Sequence, residues 1–190
     1  MSRIPIIISY YTDDEIYRPA AERLQASLDK FGLAHEVLCC PKKGTWTDNC
    51  RYKANFIKAM LWAYAPLDLI WLDADAEVLR YPGLLGEIKG DIAAVVNGHG
   101  IFASLICFKN TPEVMCLVEA WIATNDVNPN EFTGDQANLA RVLEQSPSIS
   151  FQQLPEEYSY NPDIMEKIEN PVIFQHQASR QGRNFYGVTS

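Results

Sequence analysis

The chain has 190 residues, of which 47% are hydrophobic and 21% are charged, and it carries a formal net charge of −8. This length and composition predict one globular domain, and the acidic balance argues against a broad nucleic-acid-binding surface. No segment approaches the roughly 20 apolar residues of a membrane span and no signal-peptide pattern is present, so we expect a cytoplasmic protein without a transmembrane segment. Five cysteines without a C-x-x-C pair are typical of reduced thiols.

The first half of the chain alternates between strand and helix patterns. Residues 4–10 are largely apolar, which is typical of a strand covered on both faces. Thr12 and Glu15 form a capping-box pattern at the start of a helix that Gly32 ends. The following segments predict a strand, a polar loop, a helix and a third strand, in that order, over residues 35–40, 41–49, 51–64 and 67–72.

The second half continues this alternation. Residues 92–96 and 102–108 predict two strands, and residues 97–100 predict either a functional loop containing His99 or a simple connection. Thr111 and Pro112 predict the start of a helix. A loop, a further helix and two late strands are predicted over residues 125–134, 135–144, 149–154 and 172–175. Alternating β and α elements predict a single-domain α/β/α sandwich with a mostly parallel central sheet.

Two aspartates, Asp73 and Asp75, directly follow the apolar run of the third strand. Ligands of parallel α/β sheets collect at the carboxyl ends of the strands, where this pair is expected to lie. Two carboxylates so close together repel each other unless a cation lies between them, and Mg²⁺ or Mn²⁺ prefers such oxygen ligands. The alternative is that the aspartates only form a turn, and we favour the metal site. No P-loop and no G-x-G-x-x-G sequence is present to bind phosphate.

The segment "IWLDADAEV" resembles the Asp-x-Asp motif of nucleotide-sugar-dependent glycosyltransferases with the GT-A fold, of the glycogenin and lipopolysaccharide galactosyltransferase type. Four other segments resemble parts of the same family and occur in the same order along the chain. They are "IIISYYTDD", "CRYKANFIKAML", "GDQANLARVL" and "VIFQHQASR". The resemblance implies a hexosyltransferase that moves a sugar from a nucleotide-diphosphate donor, with UDP favoured, to an acceptor hydroxyl that the sequence does not identify. It also implies one GT-A-like domain over residues 1–190, with a nucleotide-binding half to about residue 96 and a sugar and acceptor half from about residue 97.

The resemblance implies a role for each matching residue. Mn²⁺ or Mg²⁺ would be held by Asp73, Asp75 and His176. Asp135 and Gln136 would be the catalytic pair at the sugar, with Asp135 as the candidate general base if the enzyme inverts. The expected nucleotide and donor contacts are Ser9, Tyr10, Tyr11, Thr12, Arg51, Lys53, Asp73, Ala74 and Arg180.

This sequence departs from the family pattern at two places. Residues 103–106 are "ASLI" where the family has Asn-Ser-Gly-Val, so only Ser104 remains of the expected sugar contacts. After His176, Gln177 and Ser179 replace the Phe and Gly of the family's C-terminal motif.

Three other functions remain open from the sequence. A haloacid-dehalogenase-like phosphatase would use Asp73 as nucleophile and Asp75 as acid, although its motif normally follows the first strand and favours Thr or Val where Glu77 stands. A sugar nucleotidylyltransferase would need a Gly-rich loop after the first strand, where this chain has "YYTDD". A non-catalytic module that binds a sugar nucleotide is the third alternative.

Several candidate residues also have purely structural explanations. His176 could bond only to backbone, Asp135 could act only as a helix cap, and Arg51 and Lys53 could be exposed cations at a helix start. Trp46 could stack on a base or sugar or could anchor its loop.

Overall fold

The computed structural model describes residues 3–127, 134–178 and 180. Its strands, in chain order, are β1 (Ile6–Tyr11), β2 (His35–Cys39), β3 (Leu69–Leu72), β4 (Ala76–Val78), β5 (Ile92–Asn97), β6 (Gly100–Phe108), β7 (Phe151–Leu154) and β8 (Ile173–Gln175). Its helices are α1 (Tyr17–Lys30), α2 (Trp46–Ala63), α3 (Pro112–Val127) and α4 (Gly134–Glu144).

Six strands form the central sheet in the order β2-β1-β3-β6-β5-β7. The pairs β1/β2, β1/β3 and β5/β7 are parallel, and β6 is antiparallel to both of its neighbours. The short strands β4 and β8 pair antiparallel in a separate two-stranded sheet. These findings confirm the predicted α/β fold with a mainly parallel central sheet.

The two faces of the sheet carry different helices because side chains alternate along each strand. Ile8 and Trp71 face a core cluster built with α2, α3 and α4. Ile7 and Ile70 face the opposite way, into a cluster that includes Leu24 of α1 and residues of β4 and β8. The sheet is therefore covered on both sides, as the apolar strands predicted.

The starts of two helices differ from the sequence predictions. Thr12 does not cap α1; its hydroxyl donates to Asp14 Oδ2 at 2.6 Å, while Asp14 Oδ1 accepts from the backbone N–H groups of Ile16 and Tyr17. The predicted Thr12–Glu15 capping box was wrong because Asp14 lies closer to the free N–H groups of the first turn.

Helix α2 begins five residues before the predicted start. Thr45 is its N-cap and forms a capping box with Asp48, each side chain bonding the other residue's backbone N–H. Part of the predicted polar loop over residues 41–49 is therefore the first turn of a helix. This turn places Trp46 and Asn49 at the carboxyl end of the sheet, where the next section finds the principal cavity.

Residues 97–100 form a tight turn between β5 and β6. Asn97 pairs with Gly100, and the Asn97 side chain accepts the backbone N–H of His99 at 2.8 Å. Gly100 has a φ of 100°, a conformation that side chains other than glycine's rarely allow.

Candidate functional site

A cavity of about 310 Å³ opens at the carboxyl ends of β1 and β3. Helices α2 and α4, the middle of β6 and the segment around β8 complete its walls. The predicted site residues that line it are Tyr10, Tyr11, Thr12, Lys53, Asp73, Ala74, Asp75, Asp135 and Gln136. Residues far apart in the sequence thus meet where ligands of this sheet type are expected.

The Lys53 ammonium lies at the centre of the charged part of the cavity. Its Nζ is 2.9 Å from Asp73 Oδ1 and 3.0 Å from Asp135 Oδ2, and it donates to the carbonyl oxygen of Ala103 at 3.0 Å. Lys53 therefore connects the Asp-x-Asp segment, the first turn of α4 and strand β6. Its three ammonium protons have three partners in this arrangement.

Lys53 remains protonated although its side chain is only 8% exposed. Burial alone would lower its pKa, but the carboxylates of Asp135 and Asp73 outweigh that effect and raise the pKa above the usual lysine value. A buried ammonium with two carboxylate partners is therefore a fixed positive charge in the cavity.

The two aspartates of the motif have different surroundings. Asp73 Oδ1 accepts from both Lys53 Nζ and Trp71 Nε1, the latter at 2.8 Å, and its backbone N–H donates to the Ser104 carbonyl oxygen at 2.9 Å. Asp75 is more deeply buried, with 8% of its surface exposed, and its carbonyl oxygen accepts the His176 N–H. Both carboxylates line the same cavity, with Ala74 between them.

The donor set fits a cation that is shared with a ligand. Within the described ranges, no group of three or more His, Cys, Asp or Glu side chains is arranged to hold a metal ion. Asp73 and Asp75 supply two carboxylates, and the two hydrogen bonds to the Asp73 side chain both fall on Oδ1, which keeps Oδ2 for a ligand. Mg²⁺ characteristically takes one or two carboxylates and completes its coordination with water and substrate phosphates.

Aromatic side chains form the side of the cavity nearest to β1. Tyr10, Tyr11, Tyr17, Trp46 and Trp71 all line it. Trp46 Nε1 donates to the Tyr17 hydroxyl at 3.1 Å, which fixes the two rings relative to each other. Burial raises the pKa of Tyr17 well above the usual value, so its phenol is neutral at physiological pH.

The catalytic candidates lie at the start of α4. The Asp135 backbone carbonyl accepts from Trp121 Nε1 at 2.7 Å, while its carboxylate bonds Lys53. Gln136 Oε1 accepts the backbone N–H of Ala103 at 3.3 Å. The Asp135 carboxylate therefore lies in the first turn of α4, against the Lys53 ammonium.

Four predicted site residues lie outside the cavity lining. Ser9 is fully buried within β1, and Arg51 lies 3.5 Å from Asp48 on α2. Arg180 pairs with Asp163, and His176 Nε2 lies 2.5 Å from Glu77 Oε2 with its ring against Phe174. The structure does not bring His176 together with Asp73 and Asp75 in one ligand group, and its role as a metal ligand stays a prediction. Ser179 lies outside the described residues.

Other cavity residues were not assigned by the sequence analysis. They include Asn49, Cys50, Asn161, Gln175 and Gln177. On α2, Trp46, Asn49, Cys50 and Lys53 follow the spacing i, i+3, i+4 and i+7, which marks one face of a helix. The Thr45–Asp48 capping box was the sequence signal that would have revealed this face.

Comparisons with known proteins identify the fold. No protein-family model matches the chain, and no curated protein sequence matches it significantly. A glycosyltransferase structure involved in glycosylation of the major capsid of PBCV-1 aligns with a TM-score of 0.69 at 10% identity, covering 94% of this chain and 97% of that one. The glycosyltransferase GlyE of Streptococcus pneumoniae TIGR4 aligns with a TM-score of 0.64 at 14% identity, covering 90% of this chain and 55% of that one. Its apo form gives a TM-score of 0.63.

These alignments show that the chain has a glycosyltransferase fold. It spans nearly the whole of the PBCV-1 structure and about half of GlyE. The phosphatase alternative is not favoured by these neighbours. Across the described residues, no helix is long and apolar enough to cross a membrane.

Proposed function

We propose that this chain is a metal-dependent cytoplasmic glycosyltransferase that transfers a hexose from a UDP-sugar to an acceptor hydroxyl. One observation carries the proposal: in a chain with a glycosyltransferase fold, Asp73, Asp75, Lys53 and Asp135 line one cavity at the carboxyl end of β3. With a divalent cation on Asp73 and Asp75, such an arrangement would suit a donor with a negatively charged diphosphate.

The nucleoside would occupy the aromatic side of the cavity. Tyr11, Tyr17 and Trp46 offer ring faces on which a base can stack, and Thr12 provides a hydroxyl. The diphosphate would then lie beside Ala74 and the two motif aspartates. Asp73 and Asp75 would hold the Mn²⁺ or Mg²⁺ ion, which when bound neutralises the charge that develops on the leaving diphosphate.

The sugar would face the start of α4. Asp135 would orient the sugar hydroxyls, or act as the general base if the reaction inverts, and Gln136 would lie near the anomeric carbon. The Lys53 ammonium holds the Asp135 carboxylate at a fixed position relative to Asp73. Asp135 is thus oriented before the substrate arrives, which lowers the cost of reaching the reactive geometry.

The four expected residues outside the lining have more distant roles in this proposal. His176 and Arg180 would have to exchange Glu77 and Asp163 for the ion and the diphosphate. Arg51 would contribute positive charge from the same helix as Lys53. Ser9 would support the adjacent Tyr10 from within β1.

Thermal unfolding in the presence of nucleotides tests the proposal. The protein would be heated with UDP, GDP or ADP, each with and without Mn²⁺. A ligand present at about 100 times its Kd stabilises the folded state by about 2.7 kcal/mol, which raises the Tm of a chain this size by roughly 5–11 °C. We expect this rise with UDP and Mn²⁺ together, and we expect Asp75→Asn to abolish it.

The matched control is Asp126→Asn, which changes an exposed carboxylate on α3 outside the cavity. This variant should respond to UDP and Mn²⁺ as the unchanged chain does. The absence of a shift with every nucleotide and metal combination would refute the proposal. A shift without any sugar transfer would support the non-catalytic binding module instead.

A further inference from the structure

The side-chain carbonyl of Gln175 is a buried hydrogen-bond acceptor without a donor. Gln175 is 5% exposed and lines the cavity, and its Oε1 has no hydrogen-bond partner among the described residues. Its Nε2 donates to Ser159 Oγ at 3.4 Å. Because a buried acceptor without a partner costs about 1–3 kcal/mol, such an atom in a residue of the cavity lining points to a missing hydrogen-bond donor.

Neutral polar groups surround Gln175. Gln177 Nε2 donates to Asn161 Oδ1 at 2.6 Å, and the Ser104 and Ser159 hydroxyls lie 2.5 Å apart. We refer to four uncharged polar residues of the cavity lining as the amide wall: Gln175, Gln177, Asn161 and Ser104. Each side chain of the amide wall can donate or accept a hydrogen bond, and each is uncharged.

Two amides of the wall come from the end of β8 and the residues just after it. Gln175 and Gln177 line the cavity, whereas His176 between them bonds Glu77 outside the lining. The backbone of Gln177 has a φ of 58°, in the left-handed region. Such a conformation costs energy for a residue other than glycine, and it is often found at ligand sites.

We infer that the amide wall is a subsite for an uncharged sugar ring, in which a ring hydroxyl donates to Gln175 Oε1. This inference rests on the proposed function and adds the chemical class of the ring. A hydroxyl can satisfy Gln175 and also bond neighbouring amides, whereas a carboxylate would lose water without gaining an opposite charge there. If the Gln175 amide turned end for end, it would present N–H groups to the same hydroxyl, and the ligand class would be unchanged.

The charge balance of the cavity also favours a neutral sugar over an acidic one. Among the described lining residues, the permanently charged side chains are Lys53, Asp73, Asp75 and Asp135. Lys53 is already bonded to two of these carboxylates. The described lining therefore offers a negatively charged sugar no cation that is not already paired.

Two sources could supply such a ring: the sugar of the donor, or a sugar acceptor. The first arm of the test measures binding of methyl β-glucoside and methyl β-galactoside by saturation-transfer NMR, with and without UDP and Mn²⁺. Glucuronate is the charged comparison. The second arm compares the Kd values of UDP, UDP-glucose, UDP-galactose and UDP-glucuronate by calorimetry. If substitution of Gln175 weakens binding of the free glycosides, the ring belongs to an acceptor. If it weakens binding of the UDP-sugars, the ring is the donor sugar.

The key variant is Gln175→Met, which keeps the volume and removes the acceptor. We expect at least one neutral sugar or neutral UDP-sugar to bind the unchanged protein, and we expect this binding to weaken about fivefold or more in the variant, with UDP alone unaffected. The variant also removes the Nε2–H donor to Ser159 Oγ, a hydrogen bond of 3.4 Å, so its Tm should fall only slightly. Gln175→Asn, which withdraws the amide by one methylene, is a second variant in case the first folds poorly.

Gln153→Met is the matched control because Gln153 lies on β7, outside the cavity lining. The subsite proposal would be overturned if charged and neutral sugars bound equally well. It would also be overturned if neither Gln175 variant changed sugar binding. Failure of the proposed function looks different: UDP would not bind at all. Sugar binding that depends on Gln175 but occurs without any nucleotide effect would keep the subsite and reject the nucleotide donor.

Discussion

Lys53 Nζ lies 3.0 Å from Asp135 Oδ2, and this contact joins the middle of α2 to the first turn of α4 across the cavity. The same ammonium bonds Asp73 at the end of β3. Without this cation, two carboxylates would face each other in a poorly solvated site. The lysine therefore stabilises the fold and fixes the geometry of the site at the same time.

Replacing Lys53 by methionine should cost both stability and activity. The variant leaves Asp73 and Asp135 without their shared cation, and removal of one partner from a buried ion pair typically costs about 3–5 kcal/mol. We expect a loss of about 3 kcal/mol in the free energy of unfolding, measured by urea denaturation, together with a loss of sugar transfer.

Lys58→Met provides the comparison on the same helix. Lys58 pairs with Glu119 at 2.8 Å at the surface, with 36% of its side chain exposed. Exposed pairs contribute about 0–1 kcal/mol, so this variant should remain close to the unchanged protein. Equal losses for both lysine variants would contradict the central role of Lys53.

Asp135→Asn separates binding from catalysis. The amide keeps the shape of the side chain and an oxygen for Lys53, but it removes the negative charge. We expect the UDP-induced rise in Tm to persist while kcat falls by about 100-fold or more, the size of effect typical for loss of an acid–base group. A variant with normal kcat would exclude Asp135 from the reaction.

Trp46→Leu should weaken nucleotide binding. Stacking of a base on an aromatic side chain contributes about 1–3 kcal/mol, so the Kd for UDP measured by calorimetry should rise by about tenfold. Trp62→Leu is the control, because Trp62 lies near the other end of α2 and is 68% exposed. If the two variants bind UDP equally well, the base does not stack on Trp46.

Alkaline pH should destabilise the fold through buried thiols. Burial raises the pKa of the Cys107 thiol well above the value of about 8.5 expected in the unfolded chain. The unfolded chain therefore loses this proton first as the pH rises, and the free energy of unfolding falls above about pH 8.5, by up to about 1.4 kcal/mol per pH unit. Below that pH the contribution of this thiol is complete.

Cys107→Ala tests this linkage by urea denaturation between about pH 8 and pH 10. The variant should show a shallower fall in stability with pH than the unchanged chain. Val95→Ala removes methyl groups from the same core cluster without removing a titrating group, so it should lower the curve without changing its slope. If the free energy of unfolding fell with pH equally steeply in the unchanged chain and in Cys107→Ala, this thiol would not contribute to the pH dependence.

Local sequence patterns were sufficient to predict the sheet and the position of the charged site. The apolar run before Asp73 predicted a buried strand, and the rule that ligands collect at carboxyl strand ends placed Asp73 and Tyr10 in one cavity. The positive φ of Gly32 at 61° confirms the end predicted for α1. These features depend on periodicity and on backbone preferences, which act over a few neighbouring residues.

Features that depend on tertiary contacts were harder to predict. The three-residue strand β4 was missed because only its pairing with β8 makes it a strand. The partners of Lys53 come from β3, β6 and α4, and no local pattern specifies such convergence. Similarly, the sequence drew attention to His176, whereas its two neighbours Gln175 and Gln177 line the cavity.

The most direct test of the glycosyltransferase account is to identify the product released from a donor. The protein would be incubated with UDP-glucose or UDP-galactose, with and without Mn²⁺, and the products separated and identified by mass spectrometry. With water in place of the acceptor, we predict slow hydrolysis of the donor to UDP and free hexose. This release should require Mn²⁺, should be lost in Asp75→Asn and about 100-fold slower in Asp135→Asn, and should persist in Asp126→Asn. Release of inorganic phosphate instead, or equal UDP release by the unchanged protein and Asp75→Asn, would contradict the account.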